Sequence, residues 1–360
     1  MMQIKALNKD AESLKKHLAG KKRIMTYGAG ALANDIKIVL EKFGYKLDCA
    51  IVDDEYYNEK AGATWEDITV ASLKTLRPPY SPESDAVIWA IASPEKLHGC
   101  MEDDRMTECF LIWNVNDFWD DRDYPAVHRE EFDSAKELLC DEYSRKVFDS
   151  YIEAQKGNVE EDIRYSTEGA YFNNLTGGGY REGAFLDCGA YDGQSAFDYM
   201  KFIGQECKVY AFEPDQMNYR KLADRVKNRS HFICLNKGCY SSEKQMSFAA
   251  NADMSSSLQE GGNEIVEVTT IDGVVGEDKV AFIKLDIEGA ELEALKGARK
   301  VIRRDMPVLA VSAYHKQEDL ITLLPYISEL CGRNKRYKLY LRHHGVVQTE
   351  LVIYAIPFED

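Results

Sequence analysis

The chain has 360 residues, 45% of them hydrophobic and 29% charged, with 61 acidic against 45 basic side chains and a formal net charge of −16. This exceeds the about 250 to 300 residues that one hydrophobic core usually serves, so two domains are expected. The acidic balance argues against a partner held chiefly through phosphates, because nucleic-acid binders concentrate Lys and Arg.

Met1 to Lys16 reads as a polar, charged, helix-like stretch without an apolar core of signal-peptide length. No later run approaches the about 18 apolar residues of a membrane span, so a cytoplasmic protein is expected. Arg23-Ile-Met-Thr-Tyr-Gly28-Ala-Gly30 is a strand running into a tight turn, and Leu32, Ile36, Val39, Leu40 and Phe43 then follow at helical spacing until Gly44. Further strands are predicted at 46–52, ending in Asp53-Asp54, at 86–91 and at 109–113. Asn114 to Asp123 is rich in Asn, Asp and aromatic residues, with Pro125 as a breaker, which places a domain boundary near 120. Residues 129–158 have a helical, charged pattern and 165–183 form a Gly- and Tyr-rich loop. The stretch 121–183 is therefore a helical connector and candidate lid.

From 184 to 360 strands alternate with helices in the α/β manner, the strands lying at 184–189, 207–212, 231–235, 280–286 and 307–312. Two shorter strands, 245–250 and 265–270, flank a Ser-rich loop. Two β-rich runs, 337–342 and 350–356, close the chain as an antiparallel hairpin. The nine cysteines form no C-x-x-C pair, which argues against a zinc ribbon or a thioredoxin-like motif and for reduced, mostly buried thiols.

Three segments carry the chemistry. Phe185-Leu-Asp-Cys-Gly-Ala-Tyr-Asp-Gly193, Val209-Tyr-Ala-Phe-Glu-Pro214 and Phe282-Ile-Lys-Leu-Asp-Ile-Glu-Gly-Ala-Glu291 are apolar runs that end in an acid at a turn. A buried parallel strand delivers a carboxylate to the carboxyl edge of a sheet in this way, and open α/β sheets bind ligands at that edge. Asp187 lies inside the first glycine turn, where it would repel a pyrophosphate but suits a ligand with positive charge, such as the ammonium and sulfonium of S-adenosylmethionine. Glu213, ending the next strand, is placed to accept hydrogen bonds from two ribose hydroxyls. Asp286 leaves the fourth strand beside the first, at the topological switch point, where a transferring methyl group and its acceptor should meet.

Residues about 165 to 356 resemble the FkbM family of S-adenosylmethionine-dependent methyltransferases. The resemblance lies in Leu186-Asp-Cys-Gly-Ala-Tyr-Asp-Gly193, Ala211-Phe-Glu-Pro214, Val268-Thr-Thr-Ile-Asp-Gly273 and the long run from Ile283 to Ala298. It implies an α/β fold of class I methyltransferase type, a doubly wound, mostly parallel seven-stranded sheet, preceded here by a smaller Rossmann-like α/β domain. It also implies S-adenosylmethionine as cofactor and methylation of a hydroxyl on a sugar, glycan or related small metabolite. Matched position by position, it makes Asp187, Gly189, Ala190, Asp192 and Gly193 neighbours of the methionine part. Glu213 with Pro214 falls at the ribose and Asp253 on the adenine side.

Methyl transfer to a hydroxyl needs donor and acceptor aligned and a proton removed. Asp286, Glu288 and His315 are the candidate catalytic residues, with Glu291 beside them and His343 and His344 in the terminal hairpin loop. Acids at 288 and 291 also suit a helix first turn without any chemistry. Asp286, Glu288 and a histidine would suit a divalent cation as well, but no metal is predicted.

In the N-terminal domain Gly28-x-Gly30-x-x-Ala33 followed by Asp53 fits the dinucleotide fingerprint with its variant alanine. The segment also resembles the sugar-nucleotide-binding N-terminal domains of some bacterial acyltransferases, which share Tyr-Gly-Ala-Gly and an Asp-Asp after the second strand. A nucleotide sugar at Gly28, Gly30 and Asp53, an NAD-binding redox domain and a fold kept for structure alone are the readings it leaves. For the whole chain the alternatives to an O-methyltransferase are a nucleotide-sugar-binding scaffold with an inactive methyltransferase fold, and an NAD-dependent oxidoreductase.

Overall fold

The structure, a computed structural model, describes residues 3–7, 10–57, 64–65, 67–91, 94–101, 104–113, 121–156, 166, 168–177, 181–249, 257–258, 264–332 and 336–358. The chain folds into two compact units. The first comprises Met1–Val127, Lys146–Thr167 and His343–Glu350, and the second His128–Arg145, Glu168–Arg342 and Leu351–Asp360. The stretch read as a connector thus contributes to both units.

In the first unit the elements run β1 (Gln3–Leu7), α1 (Ala11–Leu18), β2 (Arg23–Tyr27), α2 (Ala31–Lys42), β3 (Cys49–Val52), β4 (Thr64–Trp65), β5 (Ile68–Ser72), β6 (Asp85–Trp89), α3 (Pro94–Met101) and β7 (Glu108–Ile112). The strands form one sheet in the order β1-β7-β6-β2-β3-β5-β4, parallel except for β4 on β5. Its faces are covered by two apolar clusters, one including Leu14, Leu18, Ile36 and Leu40, the other Met25, Trp89, Leu97 and Leu111.

Met1 to Lys16 is not one helix. Gln3–Leu7 pairs in parallel with β7, and the helix begins only after Asp10, whose side chain accepts the Ser13 amide at 2.7 Å. Pairing at a sheet edge overrides the weak helix propensity of a short polar run. The predicted 46–52 strand starts only at Cys49, because the Asp48 carboxylate instead accepts the Ile24 amide at 2.9 Å.

Between the two sheets in sequence lie α4 (Tyr124–Val127), α5 (Arg129–Lys136) and α6 (Glu142–Gln155). The second unit continues with β8 (Ala184–Cys188), α7 (Gln194–Ile203), β9 (Val209–Phe212), α8 (Gln216–Val226), β10 (Phe232–Leu235), β11 (Gly238–Cys239), β12 (Lys244–Ala249), β13 (Ser257–Leu258), β14 (Glu264–Thr269) and α9 (Ile271–Val275). It closes with β15 (Val280–Leu285), α10 (Glu291–Gly297), α11 (Arg299–Asp305), β16 (Val308–Ser312), α12 (Asp319–Leu330), β17 (Tyr337–His343) and β18 (Leu351–Pro357).

Its main sheet has seven strands in the order β10-β9-β8-β15-β16-β18-β17, with β18 antiparallel to β16. The remaining four strands make a separate small sheet, β11-β14-β12-β13. β8 and β15 are near-continuous apolar runs, as strands buried on both faces must be. Phe185, Tyr199 and Phe282 stack beneath them, the first two rings 4.5 Å apart. The order reverses between β8 and β15, so their carboxyl ends flank the switch point where such sheets take ligands.

Candidate active site

The turn after β8 is shaped by its neighbour strand. Gly189 has φ 81, and a Cβ there would lie 1.9 Å from the Asp286 carbonyl oxygen. Glycine is required because two strand-end turns pack against each other, and only this lets Asp286 stand beside the β8 loop. The Gly189 and Ala190 amides both donate to the Phe212 carbonyl, at 3.1 and 3.0 Å, tying the loop to β9. Gly193, φ 82, starts α7.

Asp187 is sealed from solvent. Its Oδ2 accepts the Ser195 hydroxyl at 2.5 Å, and Lys284 Nζ lies 3.3 Å from Oδ1. Lys284, opposite Asp187 in the β8/β15 register, also donates to the Gly189 carbonyl at 2.7 Å. Burial pushes the Asp187 carboxyl up despite this cation and the Ser195 bond. Burial opposes the Lys284 charge, yet the Asp187 and Asp286 carboxylates hold its pKa above the ordinary lysine value. Asp187 is thus joined to Ser195 and Lys284, and Lys284 in turn to the glycine turn.

Glu213 follows β9. Its Oε2 accepts the Tyr191 amide at 2.8 Å and Oε1 the Asp215 amide at 2.9 Å, which leaves lone pairs on each oxygen for further donors. Burial pushes its carboxyl up to about 7 against these two bonds. The Pro214 and Glu213 carbonyls accept the Asn236 side-chain amide at 3.0 and 2.9 Å, fixing the turn. Asp192 is committed elsewhere: it caps the start of α7 through the Gln194 amide at 3.0 Å and pairs with Arg225 at 2.6 Å. Asp253 lies outside the described residues.

The carboxylate that stands forward at the switch point is Asp286. Tyr171 donates to its Oδ2 at 3.0 Å and Tyr314 to Oδ1 at 3.3 Å. Burial alone would raise Asp286, but the Lys284 and His315 cations and the Ser312 and Tyr171 hydroxyls outweigh it and hold the carboxyl below its usual range. His315, its side chain only 1% exposed, has Nε2 at 3.6 Å from Asp286 and 3.5 Å from Glu288, and Nδ1 at 2.9 Å from Glu291 Oε1.

Burial disfavours an imidazolium, yet Glu291, then Glu288 and Asp286, raise His315 to about 10. The ring thus lies among three carboxylates, which favour its charged form over a resting proton acceptor. Glu291 is buried in the first turn of α10 and also accepts the Ile287 amide at 3.0 Å. Glu288 adopts a left-handed φ of 55, strain that non-glycine residues carry mostly where surroundings impose it.

His343 is buried in the first unit, its Nε2 against the Val347 and Thr349 carbonyls, and burial lowers it to about 4. Among the described residues no group of three or more His, Cys, Asp or Glu is arranged to hold a metal ion. Nor is any described helix long and apolar enough to cross a membrane.

Lys284, Tyr171, Tyr314 and Ser195 were missed by the reading of the sequence. A lysine within an apolar strand, one residue before the strand's end, was the available signal for Lys284.

In the first unit Gly28 has φ 125 and a Cβ there would meet the Ala90 carbonyl at 2.5 Å, so packing alone explains it. Both Asp53 oxygens are engaged, by the Tyr27 hydroxyl and by Lys96 Nζ, each at 2.8 Å. Gly30 begins α2 without a side-chain cap. A cleft of about 430 Å³ opens beside Asp53, Asp54, Lys96 and Arg105.

Residues 187–339 match the family model of the methyltransferase FkbM domain. No curated protein matches the chain in sequence. The crystal structure of methyltransferase FkbM from Methylobacillus flagellatus KT superposes with a TM-score of 0.62 at 20% identity, over 96% of this chain and 92% of that one, and shares its fold. Two partial likenesses, too distant in geometry to bear on this chain, are a fibrillarin/Nop5p complex and Aeropyrum pernix fibrillarin with natively bound S-adenosyl-L-methionine. The first has a TM-score of 0.31 at 16% identity over 50% of this chain and 75% of that one. The second has 0.32 at 12% over 48% and 66%. The segment that carries the Asp187, Glu213 and Asp286 turns is therefore an FkbM methyltransferase domain, within a chain that shares the fold of a methyltransferase.

Proposed function

We propose that the enzyme methylates a hydroxyl group of a sugar, glycan or related small metabolite in the cytoplasm. The observation that carries this reading is the convergence on one sheet edge of the Gly189 turn, the buried Glu213 and the Asp286 carboxylate. The donor set fits S-adenosylmethionine. Glu213 offers free lone pairs to two ribose hydroxyls, the glycine turn offers main chain, and Asp286 offers negative charge near a sulfonium. When bound, that cofactor supplies the electrophilic methyl group.

The chain's own groups then divide the remaining work. Asp286, held as an anion by Tyr171, Tyr314 and its neighbouring cations, orients the acceptor hydroxyl. Glu288 takes the hydroxyl proton as the new C–O bond forms. The His315 imidazolium bridges Glu288 and Asp286 and limits their repulsion. Nine free cysteines suit a reducing compartment.

The test is incubation with methyl-labelled S-adenosylmethionine and a panel of mono- and oligosaccharide acceptors, for wild type and Asp286→Asn. The reading expects label in a base-stable methyl ether and a large loss in the variant. Label recovered only as base-labile ester, or on nitrogen, would overturn it.

The first unit supports a second, separate reading: its cleft suits a nucleotide sugar, with Lys96 and Arg105 for phosphate and Asp53 for hydroxyls. Titration of the full chain with a nucleoside diphosphate sugar tests it, and equal affinity in Lys96→Ala and wild type would refute it.

A further inference from the structure

We infer that Tyr171, which lies ahead of the segment matching the methyltransferase domain, is a positioning residue of the acceptor site that sets the orientation and charge of Asp286. The inference rests on the reading of Asp286 as the carboxylate facing the methyl group.

Tyr171 comes from the stretch 168–177, which has no helix or strand of its own but is fixed to the second unit's core. Phe172 packs against Phe282 and Phe185, with ring centroids 5.5 and 5.8 Å apart. The Asn173 side-chain amide donates to the Tyr354 hydroxyl at 3.1 Å and to the Gly169 carbonyl at 2.9 Å, while the Tyr354 hydroxyl donates to the Ala170 carbonyl. These bonds flank Tyr171 on both sides and anchor the chain that carries its ring.

From that position the side chain meets Asp286 and Lys284. Its hydroxyl donates to Asp286 Oδ2 at 3.0 Å, with Ser312 Oγ at 3.5 Å, and its ring faces Lys284 Nζ at 5.4 Å. Lys284 in turn holds Asp187 and the Gly189 carbonyl. The charged and titratable groups around Asp286 are Lys284, Asp187, Tyr171, Tyr314, His315 and Glu288. Tyr171 alone among these six comes from a segment outside residues 187–339.

A hydrogen bond to a carboxylate stabilises its charged form, so deleting the hydroxyl moves proton uptake by Asp286 toward higher pH. Protonated Asp286 no longer attracts a sulfonium. S-adenosylhomocysteine, which lacks that charge but shares the ribose and the amino acid, is the internal reference.

The experiment is calorimetric titration of the full chain with each compound between about pH 5 and pH 7.5, for wild type, Tyr171→Phe, Tyr171→Met and Asp286→Asn. In wild type the ratio of the two affinities is expected to stay level. In both Tyr171 variants it should fall toward the acid end, as proton uptake by Asp286 moves toward higher pH. Two variants are used so that the result does not hang on the folding of one.

In Asp286→Asn the ratio should be lower and level. Level, wild-type ratios in the Tyr171 variants would overturn the inference while leaving the cofactor site standing. A ratio in Asp286→Asn that equals wild type would overturn the placement of Asp286 itself. Absence of binding by wild type would overturn the underlying reading and the inference with it.

Discussion

Replacing Lys284 by Met should destabilise the second unit by about 3–5 kcal/mol at neutral pH, since it removes one partner of a buried ion pair. The Asp187 carboxylate is 0% exposed and the Lys284 side chain 5% exposed, so no water takes the cation's place. The loss is large against a typical domain stability of about 5–15 kcal/mol. Two further consequences discriminate this cause from lost packing. Burial already raises the Asp187 pKa, so the variant should relieve the penalty by proton uptake and lose less stability in acid than at neutrality. Removing both charges, in Asp187→Asn with Lys284→Met, should recover much of the loss, because a buried pair replaced as a whole is often near neutral.

The assay is urea unfolding followed by far-ultraviolet circular dichroism. Tryptophan fluorescence would mislead: all four tryptophans lie at 65, 89, 113 and 119, in the part of the chain that belongs to the first unit. A Lys284→Met protein within about 1 kcal/mol of wild type at neutral pH, or a double variant no better than the single one, would refute the reasoning.

Other outcomes follow from the same geometry. Gly189→Ala should cost on the order of 2–4 kcal/mol by urea unfolding, whereas Gly204→Ala, at a similar φ of 74 but with nothing within 4 Å, should cost only about 1 kcal/mol. The His315 pKa is raised in the folded state. Its stabilisation should therefore be complete below about pH 6.5 and vanish as pH rises toward about 10, a slope absent in His315→Gln when stability is followed against pH. Glu213, pushed up to about 7 by burial, must ionise to accept two ribose hydroxyls, so cofactor affinity should weaken as pH falls below about 7. Calorimetry in buffers of different ionisation heat would show proton release on binding. An affinity independent of pH in that window would contradict this role.

Much of this site was legible in the sequence because it rests on short local patterns. An apolar strand ending in an acid announces β8, β9 and β15 by itself, and the glycine at 189 is dictated by one turn. The charge states were not legible, because they depend on partners distant in sequence. Tyr171 meets Asp286 across 115 residues. His315 reads as a base until Glu291, on another element, is seen at 2.9 Å. Asp192 matched the glycine-turn pattern, yet its carboxylate serves a helix start and Arg225. In the first unit, β1 escaped because five residues at a sheet edge carry too little pattern to outvote a charged surrounding.

The central claim is that the carboxyl edge between β8, β9 and β15 binds S-adenosylmethionine through Glu213. Isothermal titration of the full chain with that compound, against Glu213→Gln, tests it most directly. The account predicts one site per chain in wild type and an affinity at least about tenfold weaker in the variant, which presents one ribose hydroxyl with an amide donor in place of an acceptor. Equal binding by both proteins, or no binding by wild type, would contradict it.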